Sequence, residues 1–578
     1  MRKLPFFFIL LFGIAITFFW FWLFGGVTYD DSFIYFRYAA NFLRGRGLVF
    51  NIDDPVEGYT GYLWQMIVIL GLWIGWDPIV FVESVNGVAL IFTAGLLFLM
   101  GRRYFQSSYL ALGAPVLFLV YPGNAFWAMA GLETSFYAFL MVGCIFFGLY
   151  HDQNAWQRRF TGFLFCLLAL TRVEGIAYYV FFLFFDTFWN YRESKKVNFK
   201  RFLDFCFGLP FFAFYLFSRW HVYGHLLPNT YYAKVGLSSH ALKNGFYYTI
   251  DCINTSLGGV VLFLVLLIHG WFFLRHSKAW CLWLGFVLLS FFLCITGGGD
   301  NLFFFRYLNP VLSFGFILVA AFLAHAFRTA LLMTSLPWKW STLFLGVLLV
   351  FHLVFGGLYG FFGENRVFLF VSNNRSFFTM ARFHGLLFKK MLGSGQSIAL
   401  NAMPFVAYFY DGQVYDMLGL VDKTIAHRKL EMGKRVHGHE KGDGNYILSQ
   451  RPTLIMFNGS PFLDGMPRTL EEFAKLHPWL HVSDVELMRN PRFHDLYEVV
   501  NFKIRNGYSF FFKLKGDPID YDAGDSFIKN NEALFLGESF AKKKPFFEKS
   551  LQFFGSFMQS RAGAIFLKIE WFLGPLLR

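Results

Sequence analysis

Apolar runs of roughly bilayer length recur along the first 361 residues, separated by short polar stretches. A membrane-crossing helix needs ~20 apolar residues. Runs that approach this lie near 5–26, 84–101, 108–122, 132–150, 160–172, 175–190, 203–219, 255–274, 279–296, 307–327 and 341–361. The run at 62–76 is different. Counted as a further span, it would put Arg102 and Arg103 outside and invert every later loop. Laid along the outer surface, it lets the loops sort by charge. Arg2 with Lys3, Arg102 with Arg103, Arg158 with Arg159, "RESKKVNFKR", "RHSK" and Arg328 with Lys339 then all face the cytoplasm, as the positive-inside bias requires. The pattern therefore predicts a polytopic α-helical membrane protein of about eleven spans, with a cytoplasmic N-terminus, an uncleaved first span and a first outer loop over 27–83.

After about residue 362 the period changes. Short apolar runs ("SIALNAMPFVAYFY", "PTLIMFNG", "LYEVVNFKI", "YSFFFKL") alternate with turn clusters and mixed charges. This predicts a soluble α/β domain over 362–545 on the outer face, with an interfacial amphipathic helix over 546–578.

Composition agrees. The chain has 578 residues, 56% hydrophobic and 22% aromatic, more apolar surface than a soluble fold can bury. Its formal charge of +14 follows from the cytoplasmic loops. No basic stripe interleaves with base-stacking aromatics, so nucleic acid is not an expected partner. The six cysteines lie in or beside apolar runs without CxxC spacing, and read as packing residues.

The ionisable residues of the membrane half gather in the outer loops. They are Asp30 and Asp31 after the first span, Glu133 in "GLET", Arg172 and Glu174 in "TRVEG", His225, Asn229 and Lys234 in the fourth loop, and Asp300 and Arg306 in the fifth. Such groups at membrane depth are costly unless paired or solvated, so their collection on one face predicts a polar cavity there. Arg172, Lys234 and Arg306 suit an anion, and a lipid phosphate is the anion a membrane-embedded site would meet. A carboxylate beside it suits a general base on a sugar hydroxyl. Asp30 or Asp31 could also hold a divalent cation such as Mg or Mn as a hard oxygen ligand. The plainer readings are a solvated cap or snorkelling anchor at each position, and for Asp31 an N-cap on a helix starting at Ser32. His427, His437 and His439 are spaced like metal ligands but read better as a surface loop.

The string "YDDSFIYFRYAANFLRGRGLVFN…EGYTGYLW" resembles the first outer loop of the mycobacterial terminal β-(1→2)-arabinofuranosyltransferase family, GT-C class glycosyltransferases that use polyprenyl-phosphate sugars. The matching elements are Asp30, Asp31, Arg37, Tyr38, Gly47 to Asn51, Glu57 to Thr60 and Trp64. "GLET", "TRVEG", "LPNTYYAK", "GGD" with Arg306, and "DMLGLVDKTIAH" follow in order. The resemblance implies a GT-C-like fold and 62–76 as a juxtamembrane helix. It implies that one of Asp30 and Asp31 is the catalytic base, that Arg37, Arg172 or Arg306 contacts donor phosphate, and that Glu57 and Tyr59 belong to the substrate site.

The expected function is an inverting glycosyltransferase on the outer face of a bacterial inner membrane. It would move a sugar, by the resemblance a pentofuranose such as arabinofuranose, from a polyprenyl-phosphate donor to a cell-envelope glycan or glycolipid. The alternatives are a transporter or flippase of lipid-linked sugars, which would place its polar residues at mid-membrane on repeated broken helices, and a non-catalytic envelope-assembly protein.

Overall fold

Capping residues, prolines and glycines punctuate the apolar runs, and the helices of the computed structural model start and stop at them. The structure describes residues 4–332, 367–463 and 480–531, apart from short breaks inside these stretches. In chain order the first helices are α1 (Leu4–Phe24), α2 (Ser32–Leu43), α3 (Tyr62–Trp73) and α4 (Pro78–Phe105). α4 begins because Asp77 accepts from the Ile79 and Val80 amides and Pro78 occupies its first turn. α5 (Gly113–Val120) and α6 (Pro122–Met129) are bent apart by 53°, where Pro122 cannot continue the preceding helix.

Then come α7 (Thr134–Tyr150), α8 (Ala155–Thr171), α9 (Gly175–Ser194), α10 (Phe199–Phe205), α11 (Leu209–Tyr223), α12 (Asn229–Lys234), α13 (Ser239–Ser256), α14 (Val260–Phe273), α15 (Lys278–Gly297) and α16 (Asn309–Leu332). The apolar runs up to residue 327 all fall on helices, and the run at 341–361 lies outside the described residues.

Among the described residues, four helical stretches are long and apolar enough to cross a membrane, or five with the bent pair. α7 and α8 have 17 residues each, short for a perpendicular crossing. The run at 62–76 folds as α3, only 12 residues long and packed beside α2.

Two ends of the helix bundle differ in chemistry. At one end, Asp186 of α9 meets Arg201 at 2.7 Å and Lys278 at 2.8 Å, while Asp204 meets Arg158 at 2.6 Å and Arg159 at 3.2 Å. Both carboxylates are buried, and every oxygen faces a cation. At the other end the start of α2, the α8–α9 junction, the α15 C-terminus and the segment leading into α16 converge on a cavity.

The C-terminal part opens with α17 (Val367–Met391) and carries a six-stranded mixed sheet of β1 (Ser397–Leu400), β2 (Gln413–Asp416), β3 (Leu454–Met456), β4 (Pro461–Leu463), β5 (Tyr497–Ile504) and β6 (Gly507–Leu514). β1 lies parallel between β2 and β3. β6 runs antiparallel to β3, β4 and β5, its register with β5 extending from Tyr497↔Leu514 to Ile504↔Gly507. The predicted strands fall on β1, β3, β5 and β6. The predicted interfacial helix over 546–578 lies outside the described residues.

This sheet region is tied to the first loop. Asn51 pairs with Val414 of β2 through both amide atoms, donating to its carbonyl at 2.8 Å and accepting from its amide at 3.1 Å. Arg37 donates to Phe50 O at 2.8 Å and also to the Ala407 and Gly412 carbonyls. Asn229 Nδ2 reaches Gly419 O at 2.9 Å and Leu420 O at 3.1 Å.

Candidate active site

The motif "GLET" shows how the loops are fixed. Gly131 has φ +80°, and a Cβ there would lie 2.7 Å from Thr28 Cγ2 and 2.8 Å from Ser32 Oγ. Only glycine allows this approach. It lets the Tyr29 amide donate to Ala130 O at 2.8 Å and Ser32 Oγ to the same carbonyl at 3.2 Å. The α6–α7 turn is thereby locked to the start of α2, and Glu133, fully buried, points at Arg172.

Between these elements lies a cavity of about 400 Å³. Asp31, Lys234, Arg306, Arg172 and Glu174 form its charged lining, Tyr35, Tyr59, Tyr137, Tyr178, Tyr231 and Tyr307 its aromatic one, and Leu293 and Cys294 of α15 an apolar flank. Asp31 occupies the N-cap position of α2, but its side chain makes no capping hydrogen bond. Its Oδ2 instead meets Arg306 Nη1 at 3.3 Å and Lys234 Nζ at 3.5 Å. The capping alternative fails: Asp31 has helical backbone angles (φ −54°, ψ −25°) in place of the extended ones of a capping residue.

Asp30 turns away from the cavity lining, and its Oδ1 accepts from the Asp31 amide at 2.9 Å. The two carboxyls are pushed apart in acidity. Burial, with the Asp31 charge behind it, raises Asp30 to about 7. Burial would raise Asp31 as well, but Lys234 and Arg306 outweigh it and hold Asp31 below the ordinary aspartate value.

Arg172 is committed differently. It donates to Glu133 Oε1 at 2.7 Å and to Glu174 Oε1 at 3.2 Å. Arg306 is 8% exposed, and its Nε has no hydrogen-bond partner among the described residues. The same holds for Tyr137 Oη and Thr230 Oγ1, both in the lining. Three residues of the lining thus each keep a buried polar atom without a hydrogen-bond partner among the described residues.

Other residues anticipated from the sequence lie elsewhere. Arg37 is absent from the lining, and its guanidinium donates to carbonyls of the first loop and the C-terminal domain, which it ties together. Asn229 anchors the same interface. Glu57 also leaves the lining. It pairs with buried Arg219 of α11 at 2.7 Å, and burial raises it to about 7 against the pull of that arginine. His225 stacks on His427 at 4.8 Å, outside the lining. Asp300 is not in the lining either, although its charge acts on Arg306.

Of the tyrosine lining, only Tyr59 was among the residues expected from the sequence. Tyr137 and Tyr178 sit within apolar helices, where an aromatic reads as core. Their signal was position, each within one turn of "GLET" or "TRVEG".

The residues do not fit a resident divalent cation. Among the described residues no three His, Cys, Asp or Glu side chains gather as ligands would, and Asp31 already faces two cations.

The profile of a domain of unknown function, DUF8728, matches residues 372–511, the part that contains the sheet. No curated protein matches the chain in sequence. In structure, the chain is similar to ArnT from Cupriavidus metallidurans bound to undecaprenyl phosphate. The TM-score is 0.51 at 12% identity, covering 88% of this chain and 98% of that one. The Archaeoglobus fulgidus oligosaccharyltransferase tethered to an acceptor peptide aligns at a TM-score of 0.41 and 10% identity, over 70% of this chain and 63% of that one. The ArnT likeness shows the fold: this is a multi-pass helical membrane protein of GT-C-like architecture with a C-terminal α/β region.

Proposed function

We propose that the protein is an inverting glycosyltransferase of the bacterial inner membrane, with its cavity and C-terminal domain on the outer face, that moves one sugar from a polyprenyl-phosphate donor to a cell-envelope glycan or glycolipid. The observation that carries this reading is the meeting of Asp31 with Lys234 and Arg306 in one cavity, a carboxylate base beside cations for a phosphate. The undecaprenyl phosphate in ArnT supports a lipid phosphate as the anion. The apolar flank along α15 gives its tail a path towards lipid.

In this reaction the acceptor hydroxyl gives its proton to Asp31 as its oxygen attacks the anomeric carbon. The bond from that carbon to the phosphate oxygen breaks, and polyprenyl phosphate leaves with the electron pair, stabilised by Arg306 and Lys234. Tyr137, Thr230 and the remaining tyrosines orient the sugar. Asp30 positions Asp31 through its hydrogen bond to the Asp31 amide. No step is routed through a metal ion. Arabinofuranose is the sugar to which the first-loop resemblance points.

The test is donor turnover. Purified protein is offered a panel of polyprenyl-phosphate sugars with a lipid-extract acceptor, beside Asp31→Asn. Consumption of one donor by the native protein and not by the variant supports the reading. If no donor is consumed while Asp31→Asn still complements a deletion strain, the enzyme reading fails and a flippase or assembly role takes its place.

A further inference from the structure

The cations of the cavity are unequally engaged. Arg172 is held by two carboxylates, Glu133 at 2.7 Å and Glu174 at 3.2 Å. Lys234 and Arg306 share a single oxygen, Asp31 Oδ2, at 3.5 and 3.3 Å. Those distances are long for charge-assisted hydrogen bonds, which settle near ~2.8 Å. Arg306 also keeps a buried Nε with no partner among the described residues. The two cations able to take a phosphate are therefore the two that hold the base.

We propose that donor phosphate and Asp31 compete for Lys234 and Arg306, so that phosphate binding draws both cations off the aspartate and frees it to take the acceptor's proton. This rests on the polyprenyl-phosphate reading above and goes further, because it makes the donor the switch that arms the base. A phosphate offers several acceptor oxygens and at least one full charge, and a guanidinium binds it through two parallel hydrogen bonds. Its advantage over one carboxylate oxygen at 3.3 Å drives the exchange.

Asp31 is then left half-buried beside Asp30 with its cations withdrawn, where its affinity for a proton rises. The titratable and charged groups facing Asp31 are Tyr29 and Asp30 on its own loop, Lys234 on α12, Arg306 before α16, and His439 on the C-terminal domain. Only Lys234 and Arg306 change partner in the exchange. An acceptor arriving before the donor meets a carboxylate neutralised by two cations, so binding is ordered with the donor first.

The experiment is calorimetric titration of undecaprenyl phosphate into detergent-solubilised full-length protein, in two buffers of different ionisation enthalpy just below neutral pH. Native protein is compared with Asp31→Asn, Asp31→Ser and Glu174→Gln. Removing the competitor should tighten lipid binding about tenfold in both Asp31 variants, and the protons taken up by the native protein on binding should be lost in them. Glu174→Gln removes an equal charge from the lining but not the competitor. It should shift affinity by less than about threefold and keep the proton uptake.

Equal tightening in all three variants, or the same proton uptake with and without Asp31, overturns the exchange. Two neutral replacements guard against one that fails to fold. Absence of lipid binding by native protein and variants alike would instead strike the donor reading itself.

Discussion

Arg172 Nη1 donates to Glu133 Oε1 at 2.7 Å, with the glutamate fully buried and the arginine almost so. The pair ties the α8–α9 junction to the start of α7, so that Tyr178 and Tyr137 are held on the same cavity wall. Breaking a buried ion pair by removing one partner costs ~3–5 kcal/mol, because the remaining charge stays desolvated. Glu133→Ala should therefore lower the thermal midpoint of the solubilised protein, and adding Arg172→Ala should cost less than the sum of the two single changes. If Glu133→Ala melts with the native protein, the pair is not structural and Arg172 becomes available to a ligand.

Asn229 illustrates a second kind of joint. Its side chain donates to Gly419 O and Leu420 O, and its backbone amide donates to Glu57 O at 2.8 Å, so one residue holds the first loop and the C-terminal domain together. Asn229→Ala strands buried carbonyls at ~1–3 kcal/mol. The expected sign is faster hydrogen exchange across residues 416–422 with little change in the helix bundle. Uniform exchange throughout would show that the domain docks without it.

Asp30 predicts a pH dependence of stability. Its folded-state value, about 7, lies above the ordinary 3.8, so the native protein holds the proton more tightly than the unfolded chain does. Stability contributed by the protonated form is present below the ordinary value and is lost as pH rises through the window up to about 7. Glu57, about 7, and Asp416, about 6, act in the same direction. Thermal midpoints should fall between mildly acidic and neutral pH. Asp30→Asn should remove about 1–2 kcal/mol of that fall, well short of the full linkage value because the loop relaxes around the charge. An identical pH profile in the variant would mean that Asp30 is ionised throughout.

Much of this architecture was legible because its causes are local. Apolar runs of bilayer length become helices wherever they occur, and the run at 62–76, set apart by charge, folds as the 12-residue α3. The carboxylate pair and the loop arginines were also visible, since ionisable groups at membrane depth demand a reason. What they touch was not. Arg37 and Arg306 look alike in sequence, and only the fold shows that one meets carbonyls of the C-terminal domain while the other meets Asp31. The cations at Arg158, Arg159, Arg201 and Lys278 read as topology signals, yet they neutralise Asp186 and Asp204, partners that no local pattern pairs. Tyr137 and Tyr178 were hidden for the same reason: core and cavity lining differ only in what lies opposite.

Gly58 offers the sharpest test of how the C-terminal domain packs behind the cavity wall. It belongs to the lining, and a Cβ added there would lie 2.3 Å from Val421 Cγ1 and 3.2 Å from Tyr38 Oη. Val421 stands at the end of the turn that Asp416 holds, its amide donating to Asp416 Oδ2 at 2.9 Å, so it cannot retreat without breaking that turn. Gly58→Ala should destabilise the docked domain by ~1–3 kcal/mol through overpacking. Val421→Ala removes the atom that clashes, and the double variant should recover most of the loss in both thermal midpoint and donor turnover. Additive damage in the double variant would place the cost of Gly58→Ala in the backbone of the first loop instead, and would separate the domain contact from the shape of the cavity.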